Sequence, residues 1–306
     1  VYIMKVALNS YSIRNEWNFI MRDKYDAIID LCKDMDIDQV ELLDRHFEKD
    51  QLKAICKKFS ENGINVFAIG PHVHLLAKDE NVDKEVSEGK EWLNLAKEAG
   101  VKMIRFQVGD GPLPRAFAPM DDFDDEEWEE YHEYIDEAIE QSKKVVTPLL
   151  AEAEKLDVVI GIETHHSYSS NYVYMKKFDE IYKSDNIGWI FDIGNYENDD
   201  MRWKALDVIK TNTVYIHAKG YDFDDKGFAK LRDGTELNYL KAANVLWDAG
   251  FRGNWSIEFE GSMNGLLGAL KSNEIIKYSI AKAKGDDYEI KTEFPDVDEL
   301  MEKYFA

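Results

Sequence analysis

Four residues invite a chemical reading first. Glu163 closes the apolar run Val158-Val159-Ile160-Gly161-Ile162, and Asp192 closes Gly188-Trp189-Ile190-Phe191. His217 closes Val214-Tyr215-Ile216, and Glu258 follows Trp255-Ser256-Ile257. The gaps between them are 29, 25 and 41 residues. Each gap is about one strand–helix repeat, so parallel strands would bring all four side chains to one rim. Three carboxylates gathered there cannot all stay ionised cheaply. A bound divalent cation resolves the repulsion. Three oxygen donors plus one imidazole suit Mn²⁺, Mg²⁺, Co²⁺ or Zn²⁺, and Mn²⁺ is the first expectation. Such a centre supports removal of a proton next to a carbonyl. A cation touching the carbonyl and hydroxyl oxygens stabilises the enediolate charge, and a nearby carboxylate takes the proton.

The elements that must position these residues are legible as eight short apolar runs. They start at Lys5, Gln39, Asn65, Met103, Val158, Gly188, Val214 and Trp255. Amphipathic segments lie between them. Ala27–Met35 is one; another, Glu91–Ala99, is stopped by Gly100. A third runs from about Asp125 to Leu156, with acidic residues in its first turns to suit the positive helix end. Eight strands alternating with helices predict a (β/α)₈ TIM barrel rather than an open doubly wound sheet. The turn Ser10-Tyr11-Ser12-Ile13-Arg14-Asn15 contains no glycine, which excludes a dinucleotide fingerprint there. The expected division is one barrel domain over residues 1–285 and a C-terminal extension over 286–306, with a short helix from Val297 to Phe305. The connection from Gly109 to Asp124, with Pro112, Pro114 and Pro119, is long enough to be a lid or partner surface. The acidic run Asp121–Glu127 reads as a solvated helix start.

Composition narrows the function classes. The 306 residues carry a net charge of −23, and 44% are hydrophobic, enough for a sizeable core. A field of this sign repels phosphate, so no nucleic-acid partner and no anionic membrane surface is expected. Two cysteines, Cys32 and Cys56, read as small buried apolar residues. No apolar run approaches the ~18 residues of a membrane span, and the first residues do not read as a secretory leader. A soluble cytoplasmic protein is the expectation.

Several segments also resemble a known family. Gly161-Ile162-Glu163-Thr164-His165-His166 is similar to the fifth-strand motif of the xylose-isomerase-like TIM barrels. Phe191-Asp192-Ile193-Gly194-Asn195 resembles that superfamily's sixth-strand motif, and Tyr215-Ile216-His217-Ala218-Lys219 its seventh-strand His-x-Lys. Ser256-Ile257-Glu258-Phe259-Glu260-Gly261 resembles the eighth-strand motif, and Asn9-Ser10-Tyr11-Ser12 the opening strand. The superfamily includes tagatose epimerases, hydroxypyruvate isomerases, inosose dehydratases and endonuclease IV. The resemblance implies that Glu163, Asp192, His217 and Glu258 are the metal ligands. It further implies that Glu163 and Glu258 form an acid–base pair on opposite faces of a sugar or keto-sugar, in an isomerase or epimerase.

Other polar residues are placed to meet a substrate. Lys219, two residues past His217, faces the same side of its strand. His165 shares facing parity with Glu163 if the strand continues, which makes it a candidate second base. His72 and His74 follow the third strand, Gln107 and Arg105 lie on the fourth, and Asn195 follows Asp192. Trp17, Phe19 and Trp203 could stack on sugar rings. Arg115 and Lys219 stand nearly alone as rim cations, which favours a neutral sugar over a sugar phosphate. A second enzyme reading uses the same site for β-elimination on a 3-keto-glycoside with His165 as base. That arrangement resembles the α subunits of C-glycoside deglycosidases, which work with a small second subunit; a homo-oligomer is the other expected assembly. An endonuclease IV-type phosphodiesterase would need more strand histidines than this chain offers, and its acidity opposes DNA.

Overall fold

The computed structural model describes residues 4–19, 22–109 and 123–306. Eight parallel strands form a closed barrel. They are β1 (Lys5–Asn9), β2 (Gln39–Leu43), β3 (Asn65–Gly70), β4 (Met103–Gln107), β5 (Val159–Glu163), β6 (Ile187–Asp192), β7 (Thr213–Gly220) and, after a small hairpin of β8 (Asp222–Phe223) and β9 (Ala229–Lys230), β10 (Asn254–Phe259). The hydrogen-bonded order is β1-β10-β7-β6-β5-β4-β3-β2, the topology of a (β/α)₈ barrel. The helices are α1 (Lys24–Asp34), α2 (Leu52–Glu61), α3 (Val82–Ala99), α4 (Asp125–Leu156), α5 (Tyr172–Ile181), α6 (Asp199–Ile209), α7 (Tyr239–Asp248), α8 (Gly265–Lys284) and α9 (Val297–Phe305).

Two compact units are distinguished along the chain. In the first, residues 1–69, 192–194 and 214–306, β1 pairs with β2 and β10, and β10 pairs with β7. Its register sets Ser256 beside His217 and Glu258 beside Lys219. In the second, residues 70–191 and 195–213, β5 pairs with β4 and β6, and Gln107 stands beside Glu163. Strand interiors such as Ala7, Leu8, Ile104, Ile162, Ile190, Ile216 and Ile257 are fully buried, the pattern of parallel strands covered on both faces.

Local chemistry accounts for the element ends. Gly100 ends α3 in the left-handed conformation, φ +76°. Asp124 caps α4 in a reciprocal box: Glu127 N–H donates to Asp124 Oδ1 at 2.9 Å, and Asp124 N–H donates to Glu127 Oε2 at 2.8 Å. The described part of the acidic run, Phe123–Glu127, is therefore a helix start, as its composition implies. The lid or partner surface expected over the proline-containing loop lies outside the described residues, because 110–122 are not described. The short terminal helix does form, and within its unit Tyr304 OH donates to Asp34 at 2.6 Å. Cys32 and Cys56 are buried, and burial pushes the Cys56 thiol up to about 12. Among the described residues, no helix is long and apolar enough to cross a membrane.

Candidate metal centre

Glu163 is the last residue of β5 and Asp192 the last of β6; His217 and Glu258 lie on β7 and β10. All four are buried. Each offers one ligand atom, and these atoms lie within 4.8 Å of one another.

His217 is oriented from behind by Glu41, a carboxylate on β2 with no exposed surface. The imidazole Nε2 lies 3.1 and 3.0 Å from the two Glu41 oxygens. The same carboxylate accepts from Asn9 Nδ2 at 3.1 Å, Tyr215 OH at 2.9 Å and Ser256 Oγ at 2.7 Å. Four donors converging on one group match an acceptor-only carboxylate, and they assign the imidazole proton to Nε2. Nδ1 then carries the lone pair, 3.6 Å from Glu258 Oε2 and 3.9 Å from Asp192 Oδ2. Sequence reasoning missed Glu41. Its signal was present: a lone carboxylate inside the apolar strand Gln39–Leu43.

Glu163 is held by β4. Arg105 Nη1 donates to Oε2 at 2.5 Å and Gln107 Nε2 at 3.1 Å. Arg105 is buried and also donates to the Gly70 carbonyl at 3.3 Å. Lys219 is equally buried. Its ammonium lies 3.1 Å from Asp192 Oδ2, 3.2 Å from Glu258 Oε2 and 3.0 Å from Glu260 Oε1. The Gly194 N–H donates to Asp192 Oδ1 at 2.8 Å, and a Cβ on Gly194 would fall 2.8 Å from the Lys219 stem. Glycine here lets the loop cross the lysine closely.

The remaining expected residues are placed differently. β5 stops at Glu163, and His166 and Ser167 turn the chain with φ of +58° and +50°. Strand alternation therefore does not extend to His165, whose ring is exposed and sits edge-on to His166 at 5.4 Å. The Asn195 amide donates to the Thr164 carbonyl at 3.1 Å, and its own carbonyl accepts from Ser170 Oγ at 2.7 Å. These bonds tie two loops together. His72 and His74 are exposed, with His74 bridged through its backbone to Gln107. Trp17 packs on His46 at 4.3 Å, and the Arg202 guanidinium lies 6.0 Å from the Trp203 ring. Arg115 and the Phe19 side chain lie outside the described residues.

The donor set fits a divalent cation. Among the described residues, Glu41, Glu163, Asp192 and Glu258 are buried carboxylates in and behind the cluster, and Arg105 and Lys219 are buried cations touching it. Lys219 is shared with a further carboxylate, Glu260. With these groups ionised and the imidazole neutral, carboxylates outnumber cations; burying that excess unmatched is costly, and a divalent ion offsets it.

Residues 29–282 match the family described as xylose isomerase-like TIM barrel. The chain belongs to this family. No curated protein matches the sequence. Among solved structures, the xylose isomerase-like chain is similar to a D-tagatose 3-epimerase-like protein at 17% identity and TM-score 0.64, with 92% of this chain and 99% of that one covered. The IOLI protein with a bound zinc atom is similar at 19% identity and TM-score 0.63, covering 92% and 98%. A xylose isomerase-like TIM barrel protein from Mycobacterium smegmatis in complex with magnesium is similar at 16% identity and TM-score 0.61, covering 91% and 97%. At these identities the likeness is one of fold.

Proposed function

We propose that this xylose isomerase-like barrel is a divalent-metal-dependent enzyme that isomerises or epimerises a sugar or keto-sugar by removing a proton next to its carbonyl. The observation that carries the reading is the convergence of the Glu163, Asp192, His217 and Glu258 ligand atoms within 4.8 Å. These four residues would hold the ion, whose identity the donor set leaves among Mn²⁺, Mg²⁺, Co²⁺ and Zn²⁺. When bound, it supplies the Lewis acidity that acidifies the adjacent C–H.

The chain's own residues divide the remaining work. Glu163 and Glu258 are the acid–base pair. The short Arg105 bond and the Gln107 bond, both to one Glu163 oxygen, fix that carboxylate's orientation. Glu258 faces the Lys219 ammonium at 3.2 Å, a longer contact on a flexible stem. Glu258 takes the proton and releases it to solvent, and Glu163, protonated from solvent, delivers one to the opposite face of the enediolate. Lys219 supports negative charge on a substrate oxygen. The elimination reading uses the same centre with His165 as base, a ring exposed beyond the end of β5.

Incubation with a panel of ketoses and keto-glycosides in D₂O, with each divalent ion, tests the reading. The expected result is deuterium at the carbon next to the carbonyl, abolished by Glu258→Gln. Absence of exchange across the panel with every ion would overturn it.

A further inference from the structure

The connection between β7 and α7, residues 221–238, is far longer than a typical βα loop, and such connections are usually functional. It is also well built. Asp222 and Phe223 pair antiparallel with Lys230 and Ala229. Phe223 stacks on Phe259 of β10 at 5.9 Å with 14° between ring planes, and Ala229 is fully buried. A Cβ on Gly261 would fall 1.9 Å from the Tyr221 carbonyl oxygen, so glycine there lets the segment after β10 close on the hairpin base.

Between this connection and the segment after β10 lies a cavity of about 570 Å³, lined by Tyr221, Arg232, Glu260 and Met263 among others. Its size falls within the range of ~300–1,000 Å³ common for small-molecule sites. Glu260 lines this cavity and reaches the residues of the metal centre through Lys219. Its Oε1 meets the Lys219 ammonium at 3.0 Å, and that ammonium touches Asp192 and Glu258. Its Oε2 accepts from Tyr221 OH at 3.2 Å and lies 3.8 Å from Arg232 Nη2. The Arg232 guanidinium lies over the Tyr221 ring at 4.5 Å, with its side chain 74% exposed.

We propose that this cavity is a second carbohydrate subsite, which holds a sugar ring attached to the ring that reacts at the metal centre. The substrate class is then a disaccharide-sized glycoside rather than a free monosaccharide. The chemistry of the walls matches a neutral sugar ring. The Tyr221 ring accepts the sugar's C–H face once the exposed Arg232 guanidinium that lies over it swings aside, and that guanidinium and the Glu260 carboxylate then meet its hydroxyls. Glu260 links the two compartments, so occupancy of one bears on the lysine of the other. The inference rests on the reading of the metal centre as a sugar-transforming site.

Its test uses affinity rather than turnover, so that the two can fail separately. Methyl β-cellobioside and methyl β-glucopyranoside, neither of which carries a keto group, are titrated into the protein in magnesium buffer. The disaccharide is expected to bind about tenfold more tightly than the monosaccharide, as one added aromatic contact allows. Tyr221→Ala should erase that advantage while leaving monosaccharide affinity unchanged, and Tyr221→Phe should retain most of it. Arg232→Ala, at an exposed position, should reduce the advantage several-fold and guards against a Tyr221→Ala protein that does not fold. Equal affinity for the two probes, or an advantage that survives in folded Tyr221→Ala or Arg232→Ala, overturns the proposal. Failure of the sugar-transforming reading shows instead as absent deuterium exchange, whatever these affinities are.

Discussion

Replacing Glu41 by glutamine tests whether the group behind His217 controls the centre. The substitution keeps size and position but exchanges one acceptor oxygen for a donor. The wild-type carboxylate takes four donors, from His217, Asn9, Tyr215 and Ser256. The two hydroxyls can rotate to accept from the new amide. The Asn9 amide and the imidazole N–H cannot both be satisfied by the single remaining oxygen if it also serves a hydroxyl. One unsatisfied buried donor costs about 1–3 kcal/mol of stability. The larger consequence is for cation binding, because the carboxylate both fixes the tautomer and raises the basicity of Nδ1. Loss of such a partner typically costs roughly 10–100-fold in metal affinity. The assay is calorimetric titration of metal-stripped protein with Mn²⁺, alongside ¹⁵N spectra of the histidine rings to read the tautomer. Wild type should show Nε2 protonated, and Glu41→Gln should bind Mn²⁺ at least tenfold more weakly. Unchanged affinity in a folded variant, or an Nδ1-protonated His217 in wild type, would refute the reasoning.

Three further expectations concern the surroundings. Arg105→Met leaves Glu163 without its cation in a buried setting, so the metal-stripped variant should lose about 3–5 kcal/mol of stability. Added Mg²⁺ should restore more stability to it than to wild type, which thermal melts with and without the ion would show. Gly194→Ala places a methyl 2.8 Å from the Lys219 stem; a cost of about 1–3 kcal/mol is expected in chemical denaturation. His46 is held neutral mainly by burial, with Arg45 and Lys24 adding to the effect, and its pKa falls from 6.5 to about 4. A depressed folded-state pKa means its contribution is fully present above pH 6.5 and is lost as pH falls toward 4. Stability differences between wild type and His46→Gln, followed over that window, should shrink by up to about 3 kcal/mol; a difference independent of pH would count against the assignment.

Much of this organisation is legible in the sequence, for a physical reason. A parallel barrel sends the C-terminal ends of all its strands to one rim, so a polar residue at the end of an apolar run is placed by the run itself. Glu163 and Asp192 end their strands, whereas β7 and β10 run on three residues past His217 and one past Glu258; the ligand atoms of all four converge. Helix ends followed chemistry as local, from Gly100 after α3 to the capping box of Asp124 and Glu127. What sequence could not supply was side-chain partnership across strands. Glu41 reads as an anomaly in β2 until His217, from a strand far along the chain, is set against it. Arg105 was visible as a polar strand residue, but only the β4–β5 register makes it the partner of Glu163. The side on which His165 lies could not be read from alternation, because alternation holds only while the strand lasts; β5 ends at Glu163, and a left-handed turn follows at His166 and Ser167. The β8–β9 hairpin consists of two-residue strands, too short for any periodicity to register.

The most direct test of the central claim is metal titration of the stripped protein, in wild type and with two of the four ligands replaced. Mn²⁺ should bind wild type with one equivalent per chain. Asp192→Asn and His217→Gln should each weaken that binding by at least tenfold while the proteins remain folded. Stoichiometric binding left intact by both substitutions would place the cation elsewhere and contradict the account.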